Sequence, residues 1–363
     1  MRYLSASAGR GPRPNCASFT AMRVGVLTGG GDCPGLNAVI RAVVRVGRSR
    51  FGHEHVGIRG GWKGLIENHT MPLDEIHVSG ILHRGGTILG TSRTNPYTRD
   101  GGPQACADTI RALGIDALVA IGGEDTLGVA LKLHDDFGVG AVGVPKTIDN
   151  DLSGTDYTFG FSTAVQIATD ALDRLHTTAE SHNRVMVVEV MGRHVGWIAT
   201  HAGIAGGADL ILIPEQPKGI EDVCRTIEAR HRRGKDFSIV VVSEGFELSG
   251  SRRETEADEF GHARLAELGV GHDLARLIRD STGYDTRVTV LGHVQRGGTP
   301  NAYDRILATR FGTRAAELVE IRKYGHMVAL HGDAIADVAI AEAVKELKKV
   351  PAERYAIAEP FFG

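Results

Sequence analysis

The sequence predicts an α/β protein, with mainly parallel sheets, helices on both faces and two related lobes. Short β-rich apolar runs recur at 24–27, 117–121, 139–144, 185–190, 240–242 and 288–291. They pass into glycines and polar groups and then into helical patterns, the alternation of parallel strands joined by crossover helices. Glycine occupies 48 of the 363 positions, nearly twice the usual share of roughly 7%. The excess collects at those junctions, where backbone turns sharply or comes close to a ligand.

Composition narrows the function classes. With 42% hydrophobic and 23% charged residues this is an ordinary soluble globular composition. No apolar run approaches the roughly 20 residues of a membrane span. A net charge of −3 argues against nucleic acid, so phosphate recognition must come from local arginines. Cys16, Cys33, Cys106 and Cys224 form no CxxC pair, which leaves neither a zinc framework nor a secreted disulfide scaffold and points to a reducing cytoplasm. Residues 1–21 carry Arg2, Arg10 and Arg13 without an acid or a hydrophobic period, and are expected to be a disordered extension. A transit peptide shares that bias, but Pro12 and Pro14 break helices and amphipathic periodicity is missing.

In chain order, the strand at 24–27 ends in Thr28-Gly29-Gly30-Gly31-Asp32-Cys33-Pro34-Gly35-Leu36-Asn37, followed by a helix over 38–46 that carries Arg41 and Arg45. Strand, glycine loop and helix N-terminus make an anion cradle, because backbone amides and the positive helix end face one point. Gly30 and Gly35 have P-loop spacing, but Leu36-Asn37 stands where Lys-Ser/Thr is required, and the loop does not complete a dinucleotide fingerprint either. On this loop alone, a tight turn that binds nothing stays open. Arg84-Gly85-Gly86-Thr87-Ile88-Leu89-Gly90-Thr91-Ser92-Arg93 adds a second glycine-punctuated loop with two guanidiniums suited to oxyanions. The strand at 117–121 ends in Gly122-Gly123-Glu124-Asp125-Thr126 before a helix through Leu133. Carboxylates repel a phosphate unless a Mg²⁺ lies between them, since hard cations take both kinds of oxygen. Helix capping by Asp125 or Thr126 is the alternative.

Gly143-Val144-Pro145-Lys146-Thr147-Ile148-Asp149-Asn150-Asp151 holds the most chemistry of any stretch. Pro145 has no amide to donate and is expected to end the strand. Residues 146–151 then lie beyond a strand's carboxyl end, where open α/β sheets bind ligands; on this stretch alone a solvated turn with ordinary charges stays open. A helix over 161–179 follows, with Ile167, Ala171, Leu172 and Leu175 as its core face and His176 and His182 on the surface. Later strands end in Met191-Gly192-Arg193, Ser243-Glu244-Gly245 and Gly292-His293-Val294-Gln295-Arg296-Gly297-Gly298. The charged stretch 247–268 reads as a loop leading into a surface helix. Residues 302–348 read as largely helical, with Lys345, Lys348 and Lys349 on a solvated face.

With these loops aligned, the chain from Met22 nearly to its C-terminus resembles the phosphofructokinase family. Gly30-Gly31-Asp32-x-Pro34-Gly35-x-Asn37, Gly122-Gly123-Glu124-Asp125-Thr126, Pro145-x-Thr147-Ile148-Asp149-Asn150-Asp151, Met191-Gly192-Arg193 and Gly292-His293-x-Gln295-Arg296-Gly297-Gly298 occur in the family's order. The resemblance implies two Rossmann-like lobes with the active site in the cleft between them. It also implies Mg²⁺-dependent phosphoryl transfer to the 1-hydroxyl of fructose 6-phosphate. The donor-binding lobe would comprise 22–160 plus about 295–345, and the sugar-binding lobe 161–294 plus about 346–363.

The resemblance assigns roles as well. Asp149 matches the catalytic base that takes the proton of the sugar hydroxyl. Thr147 and Asp151 match supports of the transferring phosphate and the sugar, and Arg193 the transition-state cation. Met191, Gly192 and Glu244 match sugar contacts. Arg184, Arg287, His293 and Arg296 match the pocket for the substrate's 6-phosphate, where arginine forks bind oxyanions bidentately. Arg184 and Arg287 would reach in from a neighbouring subunit, which implies a homodimer or homotetramer with shared active sites. Gly31, Arg93, Thr94, Gly123, Asp125, Thr126 and Lys146 fall on the donor side, and Glu124 on the Mg²⁺ position.

Two positions depart from the common ATP-dependent pattern, which has glycine where Asp125 and Lys146 stand. Aspartate fills the space that a nucleotide's α-phosphate would approach and adds repulsion, about 4 kcal/mol at roughly 4 Å for an effective dielectric near 20. Lysine adds a point charge for the inorganic half of pyrophosphate. The pair resembles the pyrophosphate-dependent branch, whose reaction is readily reversible; the weight rests on Asp125, because some ATP-using relatives also carry the lysine. The alternatives are an ATP-dependent enzyme and, from another class, a catalytically silent regulatory subunit that binds sugar phosphate. A silent subunit would not need Asp149, Arg193 and the donor loop intact. Arg41 and Arg45 match an effector site, but His176 stands where arginine is usual, and Arg233 and Lys235 replace its basic cluster in part, so weak or absent nucleotide regulation is expected.

Overall fold

Two sheets organise residues 21–248 and 269–363, which the computed structural model describes. The expected disorder of 1–21 and the loop expected within 249–268 therefore fall outside the described residues, apart from Ala21. The chain opens with β1 (Arg23–Thr28), α1 (Leu36–Phe51), β2 (Glu54–Ile58), α2 (Trp62–Ile66) and β3 (Thr70–Leu73). It continues with α3 (Gly102–Ala112), β4 (Ala117–Gly122), α4 (Glu124–Phe137), β5 (Ala141–Thr147) and β6 (Phe159–Gly160). Next come α5 (Phe161–His182), β7 (Val185–Val190), α6 (Trp197–Ala205), β8 (Leu210–Leu212), α7 (Ile220–Arg232), β9 (Ser238–Ser243), α8 (Val270–Thr282) and β10 (Thr286–Val290). The chain closes with α9 (Ala302–Glu320), β11 (His326–His331), β12 (Ala334–Ala339), α10 (Ile340–Ala343) and α11 (Ala352–Ala356).

The larger sheet runs in the order β12-β11-β5-β4-β1-β2-β3, with β6 beside β5. It is parallel except at its edges, where β3 and β12 pair antiparallel. The smaller sheet, β10-β7-β9-β8, is parallel throughout. Alternate residues of the central strands enter different cores, as the period of two requires. Val119 and Ile121 of β4 face the core that holds α1 and α9, while Leu118 and Ala120 face the one that holds α3 and α4. Met186 and Val188 of β7 join the first of these cores together with Ala164 and Leu172 of α5. Val185 and Val187 turn to α7 and α8. One continuous apolar core thus reaches both sheets, with helices on either side of each.

Several expectations need correction. Pro145 does not end its strand: β5 continues to Thr147. On β5, β11 pairs Val142 and Gly143 and β6 pairs Lys146 and Thr147. Pro145 is in register with Gly122 of β4 on one side and on the other falls between these pairings, where a missing donor is tolerated. Residues 302–348 are not largely helical, since α9 stops at Glu320 and β11 and β12 form a hairpin around Gly332-Asp333. The buried face of α5 is Ala164, Ala168, Leu172 and Ala179, so Ile167 and Ala171 lie at its margin. Lys348 is not on a solvated face; its ammonium is bonded inside the fold.

Candidate functional site

A cavity of about 450 Å³ opens at the carboxyl ends of the strands of both sheets, the edge at which open parallel sheets leave a crevice. Most of the lining loops follow a strand: Gly30 and Gly31 follow β1, Glu124 and Asp125 follow β4, Asp149 and Asp151 follow β5. Arg193 comes after β7, Glu244 after β9, and His293 and Arg296 after β10.

The Asp149 loop is built by its neighbours. Thr147 Oγ1 accepts from the Asp149 amide at 3.0 Å. Asn150 takes a left-handed turn (φ 52), which asparagine tolerates well. Its buried side chain accepts from Thr158 N at 3.0 Å. Asp149 and Asp151, on either side of that turn, both line the cavity. Asp149 Oδ1 is enclosed with no hydrogen-bond partner among the described residues, an acceptor left for something else to satisfy. Burial first, and repulsion from Asp151 second, push the Asp149 carboxyl up to about 7, with Arg296 opposing the rise.

Facing this loop, Gly192 sits at φ 130, and a β-carbon there would stand 2.6 Å from the Val195 carbonyl oxygen, so only glycine fits. Ser243 Oγ and Gly245 N both donate to the Gly192 carbonyl, which fastens the Arg193 turn to the end of β9. Gln295, fully buried, accepts from Met191 N at 3.2 Å and donates to Gly292 O at 3.0 Å. It locks the turn after β7 to the one after β10. Arg193 Nε is enclosed without a hydrogen-bond partner among the described residues. Burial raises the Glu244 carboxyl, and the Arg193 charge opposes that rise.

On the opposite wall the two glycine loops are stitched together. Gly30 N donates to Ser92 O at 3.1 Å, and Thr91 Oγ1 to Gly30 O at 2.6 Å. Asn37 donates to Arg84 O and accepts from Ile88 N. Lys146, 4% exposed, donates to Gly31 O at 2.5 Å. Its pKa is lowered, by burial before all else. A β-carbon on Gly31 would stand 2.6 Å from Arg296 Nη1, so the missing side chain lets a guanidinium from the loop after β10 approach the loop after β1.

Glu124 begins α4 and lines the cavity beside Asp125. Among the described residues no group of three or more His, Cys, Asp or Glu is gathered to hold a cation. One or two carboxylates suit Mg²⁺, which completes its shell with substrate phosphate oxygens and water.

The structure brings together most of the residues singled out from the sequence: Thr147, Asp149, Asp151, Met191, Arg193, Glu244, His293 and Arg296 on one side, Gly31, Arg93, Thr94, Gly123, Asp125, Thr126 and Lys146 on the other. Gly192 lies beneath as a backbone support. Arg184 and Arg287 are not in this cavity. They sit at the start of β7 and β10, at the far end of those strands, and share Asp285, with Arg184 Nε at 2.7 Å and Arg287 Nη1 at 3.0 Å. Trp62, His194 and Leu347 also line the cavity and were not singled out. His194 carried a signal, adjacent to Arg193; Trp62 and Leu347 are apolar and carried none.

A family model described as phosphofructokinase matches residues 23–319. A pyrophosphate--fructose 6-phosphate 1-phosphotransferase of Amycolatopsis methanolica is 60% identical over 345 residues, covering 94% of this chain and 100% of that protein. An ATP-dependent 6-phosphofructokinase of Corynebacterium efficiens is 52% identical over 347 residues, covering 94% and 99%. The crystal structure of a pyrophosphate-dependent phosphofructokinase from Nitrosospira multiformis matches with a TM-score of 0.81 at 20% identity, covering 95% and 93%. At that identity the likeness concerns the fold alone.

Proposed function

This chain belongs to the phosphofructokinase family, and we propose that it transfers a phosphoryl group reversibly from pyrophosphate to the 1-hydroxyl of fructose 6-phosphate. The products are fructose 1,6-bisphosphate and orthophosphate. The observation that carries the chemistry is the partnerless carboxylate oxygen of Asp149, in one cavity with Lys146 and Arg193.

Asp149 accepts the proton of the 1-hydroxyl as that oxygen attacks the terminal phosphorus. A base held near 7 is well matched to the task, because a large share of it is ionised at neutral pH while it stays basic enough to take the proton. Arg193 offsets the charge on the phosphoryl oxygens in the transition state, and its partnerless Nε leaves a donor for the purpose. Lys146 holds the departing phosphate. Glu244 and Met191 orient the sugar, and His293 and Arg296 take its 6-phosphate. Glu124 would hold Mg²⁺, which when bound draws charge from the donor's phosphate oxygens.

Arg184 and Arg287, which lie outside this chain's cavity, serve the 6-phosphate of a neighbouring subunit in a homodimer or homotetramer. The free thiols of Cys33, Cys106 and Cys224 suit a reducing cytoplasm. No described helix is long and apolar enough to cross a membrane.

ATP as donor is the second reading. A neighbouring hollow of about 340 Å³ shares Glu124 and Asp125 with the main cavity, which gives a larger donor somewhere to extend. Asp125 stands at that junction with a negative charge, and the repulsion it adds favours the shorter donor. The test is product identity: with Mg²⁺, fructose 6-phosphate and pyrophosphate, phosphorus NMR should report fructose 1,6-bisphosphate and orthophosphate. Absence of the bisphosphate would refute the reading.

A further inference from the structure

Residues 347–350 form a strap that joins the Asp149 loop to the Arg193 loop. At one end the Lys348 ammonium donates to Asn150 Oδ1 at 3.0 Å, Thr155 O at 2.8 Å and Asp156 O at 2.9 Å. These are three acceptors for the three donors of an ammonium, and all belong to the turn that follows Asp149. The Lys348 backbone N donates to Asp151 O at 2.8 Å, and Leu347 bridges Leu152. At the other end Val350 N donates to Glu215 Oε1 at 3.0 Å. The same Glu215 carboxylate accepts from Gly196 N at 3.0 and 3.1 Å, close beyond Arg193. Between the two ends, the Trp197 indole donates to Lys348 O at 2.7 Å, and the ammonium stands 5.3 Å from the Trp197 ring centroid.

A surface lysine bound to nothing would leave these acceptors to water. Lys348 is instead half-buried, and burial brings its pKa down to about 8, with Asp151 and Asp156 opposing the fall. The Asn150 side chain that it holds also receives Thr158 N, and Thr158 Oγ1 donates to Thr147 O at 2.7 Å. The bonding therefore closes around the whole 147–158 loop.

We propose that Lys348 is a positioning residue for the phosphoryl transfer: it pins the 150–156 turn to the strap and so sets where Asp149 stands relative to Arg193. The proposal rests on Asp149 being the base. Misplacing a reacting group by about 1 Å costs on the order of 100-fold in rate, and Lys348 touches neither substrate pocket directly.

Steady-state kinetics with fructose 6-phosphate and pyrophosphate test this on Lys348→Met, Lys348→Arg, Asp149→Asn and the Lys348→Met/Asp149→Asn pair, with melting curves for each. Lys348→Met should lower kcat roughly 10- to 100-fold, with both KM values within about threefold of wild type. Lys348→Arg should recover part of the loss, and exposed Lys349→Met should lose nothing. The pair should be no slower than Asp149→Asn alone, because a misplaced base that is already absent costs nothing more. A rise in KM with kcat unchanged, or losses that multiply in the pair, would overturn the proposal. If Lys348→Met does not fold, Lys348→Gln, which keeps two donors but no charge, takes its place in the same cycle with the same outcomes. An Asp149→Asn enzyme with near-normal kcat is a separate result: it removes the base assignment, and the positioning role with it.

Discussion

The Lys146 ammonium meets the Gly31 carbonyl at 2.5 Å, which ties the end of β5 to the glycine loop after β1. Because the lysine is buried and already anchored, its Nζ is in place before a phosphoryl donor arrives, and little side-chain entropy remains to be lost on binding.

Replacing that lysine by the similarly shaped but uncharged methionine removes a charge-assisted contact of about 1.5–3 kcal/mol. Lys146→Met should therefore lower kcat/KM for pyrophosphate by roughly 10- to 100-fold and leave KM for fructose 6-phosphate nearly unchanged. Initial rates against each substrate in turn check this.

Asp149 governs the pH response. Its pKa of about 7 belongs to the free enzyme, so kcat/KM for fructose 6-phosphate should rise as pH increases through that value, and Asp149→Asn should lower kcat by about 10²- to 10⁴-fold. The sign for stability is opposite. Between the ordinary carboxylate range and about 7 the folded state keeps a proton that the unfolded state has released, so stability from this group falls as pH rises across that window. Asp149→Asn should thus melt higher than wild type at about pH 8, with the gap closing toward about pH 4.

Glu124 is the carboxylate assigned to Mg²⁺. Glu124→Gln keeps the shape and removes the charge, so the Mg²⁺ concentration for half-maximal rate should increase by about tenfold or more, in line with the loss of one anionic ligand. A titration of rate against Mg²⁺ at fixed pyrophosphate reads it.

Asp304 is fully buried at the start of α9 and accepts from Thr163 N at 2.7 Å and Thr163 Oγ1 at 2.5 Å. It joins α9 to the first turn of α5. Asp304→Ala strands both donors and should lower stability by about 1–3 kcal/mol, seen as a lower denaturant midpoint with the slope unchanged.

Features written in consecutive residues were legible in the sequence. The strand at 185–190 is legible to its ends because every position is apolar except Glu189 and the flanks are Arg184 and Met191-Gly192. The site loops were legible because each glycine-polar segment directly follows such a run. The contact of Lys348 with Asn150 was not, since it spans 198 residues and nothing local separates that lysine from its exposed neighbour Lys349. The hairpin of β11 and β12 was hidden for a different reason. Met327-Val328-Ala329-Leu330 is short, and its partner strand Ala334–Ala339 alternates too weakly to mark itself. The chemistry of Pro145 alone points to a strand end, while its place in β5 depends on which neighbours pair on either side of it.

Donor choice is tested most directly by the ratio of kcat/KM for pyrophosphate to that for ATP, measured with fructose 6-phosphate and Mg²⁺ in the wild-type chain and in Asp125→Gly. The expected result is a ratio far above one for the wild type and a fall of at least about tenfold in the variant, as the repulsion at the α-phosphate position is removed. Robust wild-type turnover with ATP and none with pyrophosphate would contradict the assignment.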